Sequence, residues 1–125
     1  MDEETKFHWS EGMKFVSEGI KLLFVLNGAA TISILTFIGN TKASSFQLIY
    51  AMGCFALGAA SGPIAFGFAY LTQLKYGNAS RTGGGWDNVT KFHYVTYAAV
   101  AFGIIAFLIG IVFAICGLIS SLPNE

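Results

Sequence analysis

Three long runs of apolar residues dominate the chain. The central run, residues 46–74, carries no charged side chain, and similar runs cover residues 22–39 and 93–121. An apolar stretch of about 18 residues or more predicts a helix that crosses a membrane. The pattern therefore predicts an all-α membrane protein, with three transmembrane helices in a single membrane domain over residues 1–125.

The segment before the first run, residues 1–21, mixes charged and apolar positions. Trp9, Met13, Val16 and Ile20 recur at spacings of four, three and four, which places them on one face of a helix. We expect an amphipathic helical segment in the cytoplasm that lies on the membrane surface or packs on the loops. The alternative is a helix that binds a partner.

The connections between the runs suggest an orientation. A short turn joins the first two spans, whereas residues 75–91, with their three consecutive glycines, predict a sizeable loop. With three spans, this loop lies on the same side as the N-terminus, and that side holds six of the seven basic residues. Basic residues favour the cytoplasmic side. We therefore expect the N-terminus and the loop in the cytoplasm and the C-terminus on the other side of the membrane, which is the periplasm in a bacterial inner membrane.

Small residues form rows in the second and third spans. Gly58 and Gly62 make a Gly-x-x-x-Gly pair, and Gly103, Gly110 and Gly117 recur every seven residues. Such rows let helix backbones approach closely in a bilayer, so these five glycines are predicted to pack helices and to support a homo-oligomer. A proline inside the same second span, Pro63, predicts a kink in that helix.

Polar side chains are scarce within the spans. Asn27 and Thr31 lie one turn apart in the first span, and Tyr70 and Tyr97 are candidate partners for the Asn27 amide. One interpretation is a hydrogen bond that joins two helices. The other is a polar constriction in a pore built by several copies.

Little in the sequence indicates enzymatic chemistry. His8 and His93 have no partner at a spacing typical of catalysis, and Cys54 and Cys116 are expected to be buried apolar side chains. The spans contain no acidic or basic residue, and the formal net charge is zero. We therefore predict a protein that is not an enzyme, with no catalytic residue, cofactor or metal and no nucleic-acid partner.

Two short motifs carry a resemblance to a known group of proteins. Residues 26–30 read LNGAA and residues 69–73 read AYLTQ. Both stretches resemble motifs of small uncharacterised bacterial inner-membrane proteins with three transmembrane helices. Since that group has no assigned activity, the resemblance implies a topology and a bacterial origin but no biochemical function.

Taken together, these features favour a protein that acts by assembly in the lipid bilayer. The first hypothesis is a self-assembling protein of the inner membrane, acting as a membrane-perturbing or pore-forming effector. The alternative is an accessory or scaffolding subunit of a larger membrane complex.

The charge asymmetry predicts the topology. A reporter that is active only in the periplasm should be active when fused after Glu125 and silent when inserted among the glycines at 83–85. Activity measurements in whole cells check this, with immunoblots as the control for equal expression. The reverse pattern would show that the distribution of basic residues does not set the orientation.

Overall fold

The protein folds into three long α-helices joined by short connections. The computed structural model describes residues 2–42 and 45–122, and its helices are α1 (Glu3–Thr41), α2 (Phe46–Thr82) and α3 (Trp86–Ser120). All three are long and apolar enough to cross a membrane. The predictions of an all-α chain and of three helices suited to a multi-pass membrane protein are confirmed.

The first helix is longer than the predicted first span. It begins after Asp2, whose carboxylate accepts a hydrogen bond of 2.8 Å from the backbone N–H of Thr5, and it continues without interruption to Thr41. Hydrogen bonding by Thr5 also holds the pKa of Asp2 below its usual value. The amphipathic residues 1–21 are therefore not a separate element, because the described part of this segment is the first half of α1.

The predicted loop over residues 75–91 is wrong. Helix α2 continues to Thr82 and α3 begins at Trp86, so only three glycines separate them. Ala79, inside the predicted loop, is buried at 3% exposure, and this packing favours a continued helix. The chain turns where Gly83 and Gly85 adopt left-handed backbone angles, with φ of 70° and 84°, which glycine tolerates best.

The helices are longer than a bilayer requires. With 39, 37 and 35 residues, they measure roughly 52–58 Å at about 1.5 Å per residue, against a hydrocarbon core of about 30 Å. Because the connections are short, the start of α1, the end of α2 and the start of α3 lie at the same end of the molecule. We call this the Gly83–Gly85 end, after the turn that closes it.

Helix α2 lies between α1 and α3 and packs against both, whereas α1 and α3 contact each other far less. At the end opposite the Gly83–Gly85 end, a core cluster joins Ile34 of α1 to Leu48 and Phe55 of α2, with Phe107 and Ile111 of α3 packed against it. Leu48 is completely buried. This cluster anchors both outer helices to the first half of α2.

The glycine row of α3 receives side chains from α2. An added Cβ at Gly110 would lie 2.7 Å from the Phe55 ring, and one at Gly117 would lie 2.7 Å from Cγ of Leu48. Gly103 contacts the Ser61 hydroxyl and the Leu23 side chain. The row is therefore covered by helices of the same chain, and a second copy cannot use it without displacing them.

Other predicted features lie on the outside of the bundle. Helix α2 runs unbroken through Pro63, which is exposed, so the predicted kink there stays a prediction. Cys54 is half-buried and Cys116 is exposed, and both are free thiols. The expectation that both cysteines are buried is therefore wrong for Cys116.

Many large apolar side chains are also exposed, Phe46 at 77% and Phe15 at 74% among them, as expected where lipid rather than water covers the surface.

The contact between Gly110 and Phe55 predicts that the row tolerates no added methyl group. We expect Gly110→Ala to lower the free energy of unfolding by about 1–3 kcal/mol, because the ring must move to admit the new atom. Gly67→Ala is the control, since an added Cβ there meets nothing within 4 Å. Unfolding of the purified protein in detergent measures both, and equal stability of the two variants would contradict the packing.

Candidate functional site

A cleft of about 630 Å³ opens between the three helices at the Gly83–Gly85 end. The first half of α1, the last part of α2 and the first part of α3 each form one wall. Farther along the bundle, Leu23 of α1 and Ser61 of α2 both meet Gly103 of α3, so the helices come together there. The cleft is the space left where the helices diverge from that contact.

The wall formed by α1 is the face that the sequence singled out. Trp9, Met13 and Val16 line the cleft, and Ile20, on the same face, is buried at 4% exposure. This face was expected on the membrane surface or against loops. It packs toward the other two helices instead, because residues 75–82 form a helix that extends alongside it.

Stacked aromatic rings connect the walls. Tyr76 of α2 packs parallel to Trp9 of α1, with ring centroids 5.7 Å apart, and edge-on to Trp86 of α3, with centroids 5.6 Å apart. On α3, His93 and Tyr97 pack edge to face at 4.5 Å. Because aromatic pairs of this geometry attract each other, Tyr76 ties the start of α1 to the start of α3.

The polar groups of the cleft make few and weak hydrogen bonds across it. Gln73 donates from Nε2 to the sulfur of Met13 at 3.4 Å, and a thioether is a weak acceptor. The hydroxyls of Thr72 and Thr96 donate to backbone carbonyls of their own helices, at 2.8 Å and 3.0 Å. Within the described residues, no acidic or basic side chain other than the histidines lines the cleft.

Both histidines line this cleft, His8 from α1 and His93 from α3. The sequence showed no partner for either histidine at a catalytic spacing and did not bring the two together, and Gln73, Tyr76 and Trp86 were missed as lining residues. A signal was present, since Trp86, His93 and Tyr97 recur at helical spacings of seven and four. That signal was hidden because Trp86 was assigned to a loop.

The other polar residue of interest, Asn27, lies outside the cleft in the middle of the bundle. It is completely buried, and its Nδ2 donates to the carbonyl of Leu23 at 3.0 Å, within the same helix. Among the described residues its Oδ1 has no hydrogen-bond partner. Thr31, half-buried, donates to the Asn27 carbonyl at 2.9 Å. Both polar side chains therefore bond to their own helix.

The predicted partners of Asn27 are wrong. Tyr70 and Tyr97 are exposed, at 60% and 56%, and neither forms a hydrogen bond with the asparagine. Asn27 packs instead against Gly58 of α2. Tyr70 follows Gly58 by twelve residues, which is roughly 18 Å farther along the helix axis at about 1.5 Å per residue.

Gly58 is confined by this contact. An added Cβ would overlap the side-chain oxygen of Asn27, so the hydrogen that glycine carries in that direction points at Oδ1. Contacts between a Cα hydrogen and an oxygen recur at helix interfaces and are weakly attractive. Gly62, one turn later, also lies close to α1 but less tightly, since an added Cβ would be 3.0 Å from Cβ of Phe24.

Neither metal-site geometry nor comparison with known proteins assigns an activity. Within residues 2–42 and 45–122, no three His, Cys, Asp or Glu side chains are close enough together to hold a metal ion. No family model, curated protein or solved structure matches the chain. The resemblance to small bacterial inner-membrane proteins stays a prediction.

The contact between Asn27 and Gly58 predicts energetic coupling. Gly58→Ala should lower the free energy of unfolding by about 1–3 kcal/mol, because its new methyl group overlaps the asparagine. Asn27→Ala removes that obstacle, so the double variant should lose about 0.5–3 kcal/mol less than the sum of the single variants. Unfolding in detergent measures the cycle.

Gly53→Ala provides the control for that cycle, because nothing lies within 4 Å of a Cβ added at this position of the same helix. Its effect should add to that of Asn27→Ala. Equal coupling in the two cycles would show that Asn27 does not restrict position 58.

Proposed function

We propose that this protein is a non-enzymatic integral membrane protein that serves as an accessory subunit of a larger membrane complex. One observation carries the choice between this role and a self-assembled pore. The five glycines that would join copies, Gly58, Gly62, Gly103, Gly110 and Gly117, are buried and meet side chains of other helices in the same chain. The accessory role leaves those contacts intact.

A pore formed by several copies would need a polar surface turned toward its axis. Asn27 is completely buried within one chain, and Thr31 uses its hydroxyl on its own helix. The exposed side chains nearest them in sequence, Leu26 at 52% and Ile32 at 66%, are apolar. Exposing Asn27 would require α1 to leave α2, which is why the pore is the weaker hypothesis.

The outer surface supports association with other membrane helices. Each helix presents large apolar side chains along its length, including Ile32, Ile64 and Ile119, which are 52–66% exposed. The helices also extend beyond the length that a hydrocarbon core covers. We place the protein in a bacterial inner membrane with the Gly83–Gly85 end in the cytoplasm, on the strength of the six-to-one distribution of basic residues.

The accessory role predicts that the isolated protein is monomeric and leaves membranes intact. After reconstitution of the purified chain, each nanodisc should contain a single copy, with a protein mass of 13.4 kDa in addition to its scaffold and lipid. Liposomes that contain the protein should retain an encapsulated dye at every protein-to-lipid ratio, because one copy lacks a polar path. Leakage that rises steeply with this ratio and disappears in Gly110→Leu would contradict the proposal and support the pore.

Crosslinking in native membranes tests for a different partner chain. A photoreactive amino acid at Ile119, which is 64% exposed, should give a discrete adduct with another protein, identified by mass spectrometry. The same amino acid at the buried Leu48 is the control and should give no intermolecular adduct. An adduct with twice the mass of the chain would indicate self-association instead.

A further inference from the structure

We propose that the cleft at the Gly83–Gly85 end binds an uncharged amphiphile whose flat ring carries hydrogen-bond acceptors, such as a ring with carbonyl substituents and an apolar tail. This inference is independent of the accessory role, since a subunit and a free protein can both bind a small molecule. It rests on the size, charge, donors and position of the cleft.

The size and walls of the cleft fit a flat ring. Its volume of about 630 Å³ falls within the range of roughly 300–1,000 Å³ typical of small-molecule sites. Trp9 of the α1 wall stacks on Tyr76 of the α2 wall, and His93, Tyr94 and Tyr97 belong to the wall that α3 forms. Aromatic side chains gain more from an offset-stacked ring than from a flexible chain of the same area.

The charge of the cleft favours a neutral ligand. Among the described residues, its lining includes no Asp, Glu, Lys or Arg side chain. Lys75 lies between the lining residues Gln73 and Tyr76 of α2, but its ammonium is 6.0 Å from the centre of the Phe92 ring and does not line the cleft. Apart from the two histidines, an ionic group in the cleft meets no side chain of the described residues that could serve as its counter-ion. This argues against the phosphate of a lipid headgroup as the occupant.

The amide of Gln73 is the donor best placed for such a ligand. It is half-buried between the walls, and the one hydrogen bond that its Nε2 makes within the described chain goes to the Met13 sulfur. A carbonyl oxygen is a stronger acceptor than a thioether. A ring carbonyl that replaces the sulfur as acceptor therefore improves the bond of Gln73 and leaves Met13 as an adaptable apolar contact.

The position of the cleft suits an amphiphile. Its α2 and α3 walls cross the boundaries of the apolar runs at residues 74 and 93, while its α1 wall, from His8 to Val16, lies just before the first run. Because α1 and α3 contact each other little, the cleft lies where an apolar tail can leave between them into the bilayer. The ring then lies at the depth at which aromatic side chains of membrane proteins concentrate.

Both tryptophans of the chain, Trp9 and Trp86, line the cleft, so intrinsic fluorescence reports on it directly. The test uses the intact protein in phosphatidylcholine nanodiscs, with decylubiquinone as the uncharged probe. A bound ring should quench the emission to a plateau while the lifetime of the remaining emission stays unchanged. Decylbenzene, which has a ring and a tail but no acceptor, should bind at least tenfold more weakly.

Variants of Gln73 distinguish a probe that binds in the cleft from one that only dissolves in the bilayer. Gln73→Leu should raise the half-saturating probe concentration on the order of tenfold, as expected for the loss of one buried hydrogen bond. The matched control is Gln47→Leu, which changes the exposed glutamine at the opposite end of the same helix. This control should leave the half-saturating probe concentration unchanged. Gln73→Glu keeps the shape of the side chain but replaces the donor Nε2 with an oxygen, so it should also weaken binding at least tenfold. This variant provides the test if Gln73→Leu fails to fold.

Two results would overturn the proposal. Quenching that rises linearly, shortens the lifetime and is equal in all variants would mean that the probe dissolves in the bilayer and that the aromatic residues only anchor the helices. The second result is saturable quenching of the tryptophan emission by brominated phosphatidylglycerol. If decylubiquinone does not reverse that quenching, the cleft binds a lipid headgroup instead. Neither result bears on the mass, leakage and crosslinking measurements that test the accessory role.

Discussion

The close approach of helix backbones at the glycine positions is the constraint on which the rest of the structure depends. Lipid chains are as apolar as the surfaces of the helices, so burial of apolar area contributes little to helix association in a bilayer. Dispersion contacts at short range must hold the bundle together. Phe55 and Leu48 fill the row of Gly110 and Gly117, while Asn27 meets Gly58. A side chain added at any of these positions would force the facing side chain or its helix to move.

The cleft lies beyond the last of these close contacts. Leu23, Ser61 and Gly103 bring the three helices together, and the cleft opens between that contact and the Gly83–Gly85 turn. Tyr76 bridges the resulting gap to Trp9 and Trp86 by ring contacts, but these rings leave the space behind them open. The bundle is thus closely packed at the glycine contacts and open at the Gly83–Gly85 end.

The buried asparagine illustrates how polarity is managed inside such a bundle. The Nδ2 of Asn27 donates to the Leu23 carbonyl of its own helix, and its Oδ1 faces a hydrogen of Gly58. The side chain therefore packs closely against α2 without a hydrogen bond to another side chain among the described residues. A carbonyl oxygen in this situation is less well satisfied than one that accepts an N–H bond. Asn27 therefore helps to fix the register between α1 and α2, because its side chain fits only opposite a position of α2 that carries no side chain.

The sequence by itself determined the three apolar helices, because a chain in lipid must satisfy its backbone hydrogen bonds within each span. It also marked the glycine rows as contact surfaces and identified Trp9, Met13 and Val16 as one apolar helix face, although not what that face packs against. Only the tertiary structure decided which helix meets which row, that Asn27 lies beside Gly58 and far from Tyr70, and that α2 continues past Ala79. These outcomes depend on the register between antiparallel helices, and spacing within one helix carries no information about that register. The cleft was hidden for the same reason, because its walls come from three separate segments that only packing brings together.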